Sequence, residues 1–143
     1  MFSRRKAEQR DAAATLADVS FFEGFTPDEL AKVAELADEV EAEAGAELMD
    51  QGRPGRECFV ILEGSAGVYF SGEHAVTLEA GSMVGEMALI DRRPRSATVV
   101  AETPMRLLAF DTKAFRQLLD SLPKASQRVM SLLNARAQEN RDR

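Results

Sequence analysis

The chain has 143 residues, a formal net charge of −6, and one cysteine and one histidine. This length is enough for a single domain with a buried core. The lone cysteine excludes a disulfide framework and fits a reducing, cytoplasmic compartment. The lone histidine argues against a histidine-built metal site or catalytic triad. The acidic balance disfavours a protein whose whole surface binds nucleic acid, and no apolar run reaches the ~18 residues of a membrane-spanning helix.

The first part of the chain, residues 1–38, is predicted to be helical. Residues 1–18 are mostly polar or alanine, which is typical of a solvated terminus. Thr26 is a candidate helix cap, Pro27 suits the first helical position, and Glu29 completes a capping box. A helix is therefore expected to begin just after Thr26.

The middle of the chain, residues 39–111, changes from a helical to an alternating apolar pattern. Turn signals then recur about every 8–12 residues, with short runs of strand-forming residues between them. Many short strands at even spacing predict a sandwich, roll or barrel. The predicted strands cover residues 39–44, 58–62, 66–70, 75–78, 97–101 and 105–110.

The last part, residues 112–143, is predicted to form two helices. Asp111 or Thr112 can cap the first helix, and the apolar pattern breaks around Pro123. The second helix, from about 123 to 140, carries a stripe of Val129, Leu132 and Leu133. That stripe either covers the β unit or forms a homodimer seam, and the sequence leaves both open. The whole chain, 1–143, is thus read as one α+β domain.

The segment from Gly85 to Ser96 carries the chemistry. Five residues after Gly85 are enough for a short helix, whose free N–H groups favour an anion. Arg95 can bind a phosphate with two parallel hydrogen bonds, and the Ser96 hydroxyl adds a third donor. A carboxylate does not suit a phosphate, so Glu86 is expected to meet a neighbouring hydroxyl, such as that of a ribose.

This segment resembles the phosphate-binding cassette of the cyclic nucleotide-binding domains, here residues 85–99. The family includes bacterial catabolite activators, regulatory subunits of cyclic-AMP-dependent kinase and cyclic-nucleotide-gated channels. The resemblance extends to most of the chain through residues 19–26, 44–48, 52–55 and 59–64. It implies an antiparallel β-roll, a jelly-roll-like double-stranded β-helix, flanked by N-terminal and C-terminal helices.

The resemblance also implies roles for individual residues. Glu86 would accept a hydrogen bond from the ribose 2′-hydroxyl, while Arg95 and Ser96 would hold the cyclic phosphate. The other implied contacts are backbone contacts from Gly85, Met87 and Ala88, a wall for the base or sugar from Val68 and Val76, and a cap on the base from Asn140 or Arg141.

Several other residues have a structural interpretation. Cys58 is expected to be a small buried hydrophobe rather than a reactive thiol, and His74 to be exposed. Met83 and the Met87 side chain are expected to pack rather than bind ligand. The pair Arg92 and Arg93 is expected to lie in a solvated loop.

Three functions remain open. The first is a stand-alone sensor that binds cyclic AMP, or less favourably cyclic GMP, and signals through its last helix to an unknown protein partner or a dimer interface. It would need no catalytic residue, metal or cofactor, bind no DNA and insert into no membrane. The second is a degenerate module that binds no nucleotide and acts through a protein surface, such as the basic arm at residues 4–10. The third is a phosphodiesterase-like enzyme, against which the absence of a metal cluster and a general base counts.

Overall fold

The computed structural model describes residues 2–6, 16, 19–91 and 94–141, and for 2–6, 87, 90–91 and 136–141 it describes the backbone alone. The strands are β1 (Phe2–Lys6), β2 (Asp38–Ala42), β3 (Glu47–Met49), β4 (Glu57–Glu63), β5 (Ala66–Phe70), β6 (Glu73–Leu78), β7 (Met83–Val84), β8 (Thr98–Ala101) and β9 (Met105–Asp111). The helices are a 3-10 turn (Ser20–Phe22), α1 (Pro27–Leu36), α2 (Glu86–Asp91), α3 (Thr112–Ser121) and α4 (Pro123–Arg141).

The strands form two antiparallel sheets, which confirms the predicted antiparallel β-roll with flanking helices. One sheet has the order β1-β2-β9-β4-β7 and the other the order β3-β8-β5-β6. Each face of β4 serves a different core. Phe59 and Ile61 pack inside the roll, whereas Cys58 and Val60 pack on the opposite face, beneath the helices. Burial on both faces explains why β4 is a continuous apolar run rather than an alternating one.

The helical core lies on the outer face of the larger sheet. An aromatic cluster of Phe21, Phe22 and Phe25 is buried there, together with Phe115 and Leu118 of α3. The rings of Phe21 and Phe22 meet edge to face with centroids 5.2 Å apart. The segment before α1 is therefore anchored against the C-terminal helices.

The predicted helix boundaries are confirmed. Thr26 accepts a hydrogen bond from the Glu29 amide, and the Glu29 carboxylate accepts one from the Thr26 amide, which completes the capping box. Asp111 caps α3 by accepting from the Ala114 amide. The helical pattern breaks at Leu122, and α4 begins at Pro123.

The prediction of a helical start is wrong for residues 2–6, which form the edge strand β1. They pair antiparallel with β2, so that Arg5 lies opposite Glu39 and Lys6 opposite Asp38. The edge of β2 that faces away from β9 has backbone groups that need hydrogen-bond partners, and β1 supplies them. Residues of opposite charge across the pair favour this register. Of the rest of the predicted N-terminal helix, residues 7–15 and 17–18 lie outside the described residues.

Candidate functional site

A cavity of about 570 Å³ lies between the roll and the C-terminal helix. The segment predicted as the cassette supplies Gly85, Ala88, Arg95 and Ser96 to its wall. The hairpin of β5 and β6 supplies apolar side chains, Val68, Phe70, Val76 and Leu78. The cavity thus combines one cation with a largely apolar wall, and it contains six of the nine residues predicted for the site.

Arg95 is the charged residue of this wall, and its guanidinium is held by backbone carbonyls. Nη1 donates to the carbonyl oxygen of Gly85 at 3.0 Å, and Nη2 donates to that of Glu57 at 2.5 Å. The residue is 8% exposed, and burial lowers the pKa of the guanidinium. These carbonyls engage two of the five N–H donors of the guanidinium.

The backbone of Arg95 is fixed as well as its side chain. Its amide donates to the carbonyl oxygen of Arg53 at 2.7 Å, and its own carbonyl accepts from the Gly52 amide at 2.9 Å. Pro54 and Pro94 form a β-bridge beside these bonds. The loop at residues 52–55 therefore clamps the start of the segment that carries Arg95 and Ser96.

Two glycines make room for the guanidinium. A Cβ atom at Gly55 would lie 2.8 Å from Cζ of Arg95, and one at Gly85 would lie 2.6 Å from its Nη1. Gly85 also has a φ of +92°, which side chains rarely adopt. Arg95 consequently occupies a slot that a side chain at either position would fill.

Glu86 is fully buried at the start of α2, and it is not among the residues that line the cavity. Its charge is near the buried thiol of Cys58, whose pKa is raised well above its usual value by burial and then by the charge of Glu86. Cys58 is 0% exposed, so its prediction as a buried hydrophobe is confirmed. The contact of Glu86 with a ribose stays a prediction.

The C-terminal helix contributes to the cavity wall. Leu132 and Ala135 of α4 line the cavity. The side chains of Asn140 and Arg141, predicted as the cap, lie outside the described residues, as does that of Met87. The sequence leaves open whether the stripe that contains Leu132 covers the roll or forms a dimer seam, and the position of Leu132 on the wall fits the first alternative.

The contributors to the site that were missed from sequence include four that come from outside the predicted cassette. Met49 and Ser20 line the cavity, the carbonyl of Glu57 holds Arg95, and Gly55 leaves space for it. The only sequence signal was the turn at residues 52–55, which predicted a loop but not its contact. Ser20 comes from the 3-10 turn, outside the roll altogether.

Within the described part of the chain, no group of three or more histidine, cysteine, aspartate or glutamate side chains is arranged to hold a metal ion. The helices found in that part include none with both the length and the apolar character needed to cross a membrane.

Comparisons with known proteins agree with this geometry. Residues 39–121 match the cyclic nucleotide-binding domain family. The cAMP-dependent protein kinase regulatory subunit of Aspergillus niger is 28% identical over 130 residues, 90% of this chain and 31% of that protein. The chain therefore spans about a third of the length of the curated relatives it matches.

Two solved structures share the fold over nearly the whole domain. A cyclic nucleotide-binding domain from Methylobacillus flagellatus is 26% identical, with a TM-score of 0.79, and the match covers 99% of this chain and 86% of that one. A cAMP-binding acyltransferase from Mycobacterium smegmatis is 32% identical, with a TM-score of 0.73, over 87% of this chain and 40% of that one. The family match covers more than half of the chain and contains the Arg95 slot, so the chain belongs to the cyclic nucleotide-binding domain family.

Proposed function

We propose that this domain binds cyclic AMP, and less favourably cyclic GMP, in the cavity between the roll and α4. Binding would be communicated through α4 to a protein partner or to a second copy of the chain. The observation that carries the proposal is the buried Arg95, held on the cavity wall by the carbonyls of Gly85 and Glu57.

The electrostatics of Arg95 favour an anionic ligand. A buried cation costs free energy unless a counter-charge compensates it, and a phosphate can accept two parallel hydrogen bonds from one guanidinium. Ser96 is the adjacent lining residue and carries a hydroxyl donor. A cyclic phosphate with one negative charge fits this pair of donors.

The rest of the wall favours a flat, largely apolar group attached to that phosphate. Val68 and Val76 face each other in the register of β5 and β6, and both line the cavity. A volume of about 570 Å³ lies in the range of roughly 300–1,000 Å³ typical of small-molecule pockets. A purine nucleotide matches both the size and the mixed polarity.

A regulatory rather than catalytic role is part of the proposal. The described wall holds Arg95 and three serines as its polar side chains, at positions 20, 82 and 96, and these groups bind an anion without a base to activate a nucleophile. Both the kinase subunit of Aspergillus niger and the acyltransferase of Mycobacterium smegmatis carry cAMP in their names. In this chain α4 supplies Leu132 and Ala135 to the cavity, so a ligand that favours one position of α4 would shift its equilibrium.

The test is calorimetric titration of nucleotide-free protein with cyclic AMP, cyclic GMP and 5′-AMP. We expect cyclic AMP to bind with a Kd of about 1 μM or lower, near −8 kcal/mol, and more tightly than cyclic GMP. The 5′-AMP control, with a doubly charged open phosphate, should bind more weakly. If the folded protein binds none of the three, the roll serves as a protein-interaction module, and the proposal fails.

A further inference from the structure

We infer that Arg128 of α4, which does not line the cavity, is a positioning residue for the cyclic nucleotide. It holds together the two parts of the cavity wall that the roll does not supply. The inference rests on the proposed function, because it assigns a role in retaining the ligand of that same site.

The guanidinium of Arg128 donates hydrogen bonds to the turn before α1. Its Nη1 donates to the carbonyl oxygen of Phe21 at 2.6 Å and to that of Ser20 at 3.2 Å, and its Nη2 donates to that of Glu23. It also lies 5.9 Å from the centre of the Phe25 ring. One side chain thus donates hydrogen bonds to three backbone carbonyls of a single turn.

Both ends of this contact reach the cavity. Ser20, whose carbonyl Arg128 holds, is itself a lining residue. Leu132 and Ala135 also line the cavity and follow Arg128 by four and seven residues, which places all three on one face of α4. Arg128 therefore fixes the turn that carries Ser20 relative to the part of α4 that lines the cavity.

Lys124 reinforces the same junction one helical turn earlier. Its Nζ donates to the carbonyl oxygen of Gly24 and to the Glu29 carboxylate, both at 2.8 Å. These two hydrogen bonds anchor the start of α4 to α1 and to the turn before it. Arg128 is the cation that lies nearer along α4 to the lining residues. Arginine suits that place because its planar guanidinium presents five N–H donors in a fixed fork, whereas a lysine has three donors on a single nitrogen.

The expected effect is on ligand retention. Arg95 and the roll do not depend on Arg128, so encounter with the nucleotide should be unchanged. Loss of Arg128 should loosen the contact between the turn that carries Ser20 and α4. The bound nucleotide should then dissociate faster. Changes at a well-formed site usually appear in the dissociation rate.

The experiment measures association and dissociation of fluorescent cyclic AMP by stopped flow, with Arg128→Gln, Arg128→Lys and the control Arg116→Gln. Arg116 is an exposed arginine on α3, so the control removes the same charge away from the junction. We expect dissociation to be about tenfold faster in Arg128→Gln, with association within about twofold of the original. Arg128→Lys should lie between, and Arg116→Gln should be unchanged. An unchanged dissociation rate in Arg128→Gln would overturn the inference.

A second measurement separates this inference from the proposed function. Amide hydrogen exchange of nucleotide-free protein should show faster exchange at residues 20–25 and 129–135 in Arg128→Gln, and unchanged exchange in the strands. Uniformly faster exchange throughout would indicate general destabilisation and overturn the positioning role. If no nucleotide binds the original protein, the proposed function fails, while this comparison still decides whether Arg128 joins the two segments.

Discussion

The carbonyl oxygen of Gly85 accepts a hydrogen bond from Nη1 of Arg95 at 3.0 Å, and a Cβ atom on Gly85 would lie 2.6 Å from that same nitrogen. The two residues are therefore matched: the backbone of one orients the side chain of the other, and only glycine leaves the space. The relationship explains how the guanidinium of Arg95 is oriented on the cavity wall.

Gly85→Ala is expected to lose nucleotide binding as well as stability. The substitution adds strain at a φ of +92° and places a methyl group against Arg95. We expect a loss of about 1–3 kcal/mol in the free energy of unfolding, measured by urea denaturation, together with a loss of cyclic AMP affinity, measured by calorimetry.

Gly72→Ala is the matched control for this substitution. Gly72 has a φ of +85°, but an added Cβ would have no atom within 4 Å. It should therefore lose stability through backbone strain, by about 1 kcal/mol, and keep its affinity. Equal affinity for cyclic AMP in Gly85→Ala and Gly72→Ala would contradict the claim that only glycine at position 85 leaves space for Arg95.

Glu86 is expected to read the 2′-hydroxyl of the bound nucleotide. This carboxylate is fully buried, and it directly follows Gly85, which lines the cavity. Titrating cyclic AMP and 2′-deoxy-cyclic AMP into the original protein and Glu86→Ala forms a double-mutant cycle. We expect a coupling free energy of about 1–3 kcal/mol between the Glu86 side chain and the 2′-hydroxyl. The same ratio of affinities for the two ligands in both proteins would remove Glu86 from ribose recognition.

The pair of Arg106 and Glu39 is expected to stabilise the larger sheet. Arg106 donates from Nη2 and Nε to one Glu39 oxygen at 2.6 and 3.1 Å, and Glu39 is 9% exposed. These hydrogen bonds raise the pKa of Arg106. Arg106→Met would leave a buried carboxylate and should cost about 1–3 kcal/mol, since the arginine itself is partly exposed.

Glu63→Gln supplies the control for that pair. Glu63 also accepts from Arg106, at 2.7 Å, but its side chain is 61% exposed. Removing this charge should change the free energy of unfolding by less than about 0.5 kcal/mol. Comparable losses in Arg106→Met and Glu63→Gln would contradict the assignment of the stabilisation to Glu39.

Cys58 is expected to make the protein less stable at alkaline pH. Burial raises the pKa of its thiol in the folded state, whereas the unfolded chain should lose this proton near pH 8.5. Below that pH both states hold the proton, so the thiol adds no pH dependence. Above it the unfolded state binds fewer protons, and the stability of the folded state falls as pH rises.

The measurement compares the original protein with Cys58→Ala at pH 8 and pH 10. We expect the difference between their free energies of unfolding to shift by about 2 kcal/mol against the original protein over that interval. A constant difference would mean that the thiol ionises equally easily in both states.

The sequence predicted the features that depend on near neighbours. The capping box of Thr26 and Glu29 spans four residues, and the alternating or apolar runs marked β5 and β9 to within one residue. The resemblance of residues 85–99 to a phosphate-binding cassette predicted the family and the cavity residues that the cassette supplies.

The features that failed depend on contacts distant in the chain. The strand at residues 2–6 exists through its pairing with β2, and its local composition carries no alternating signal. The approach of Gly55 to Arg95 joins positions in two separate loops. The position of α4 over the cavity depends on how that helix packs, so the sequence did not identify Leu132 and Ala135 as lining residues.

The central claim is that Arg95 binds the phosphate of a cyclic nucleotide, and titration of cyclic AMP into Arg95→Ala tests it most directly. Arg116→Ala serves as the control for loss of charge, and circular dichroism should show that both variants are folded. We expect Arg95→Ala to lose about 2–4 kcal/mol of binding free energy while Arg116→Ala binds as the original protein does. Full affinity in a folded Arg95→Ala would contradict the claim.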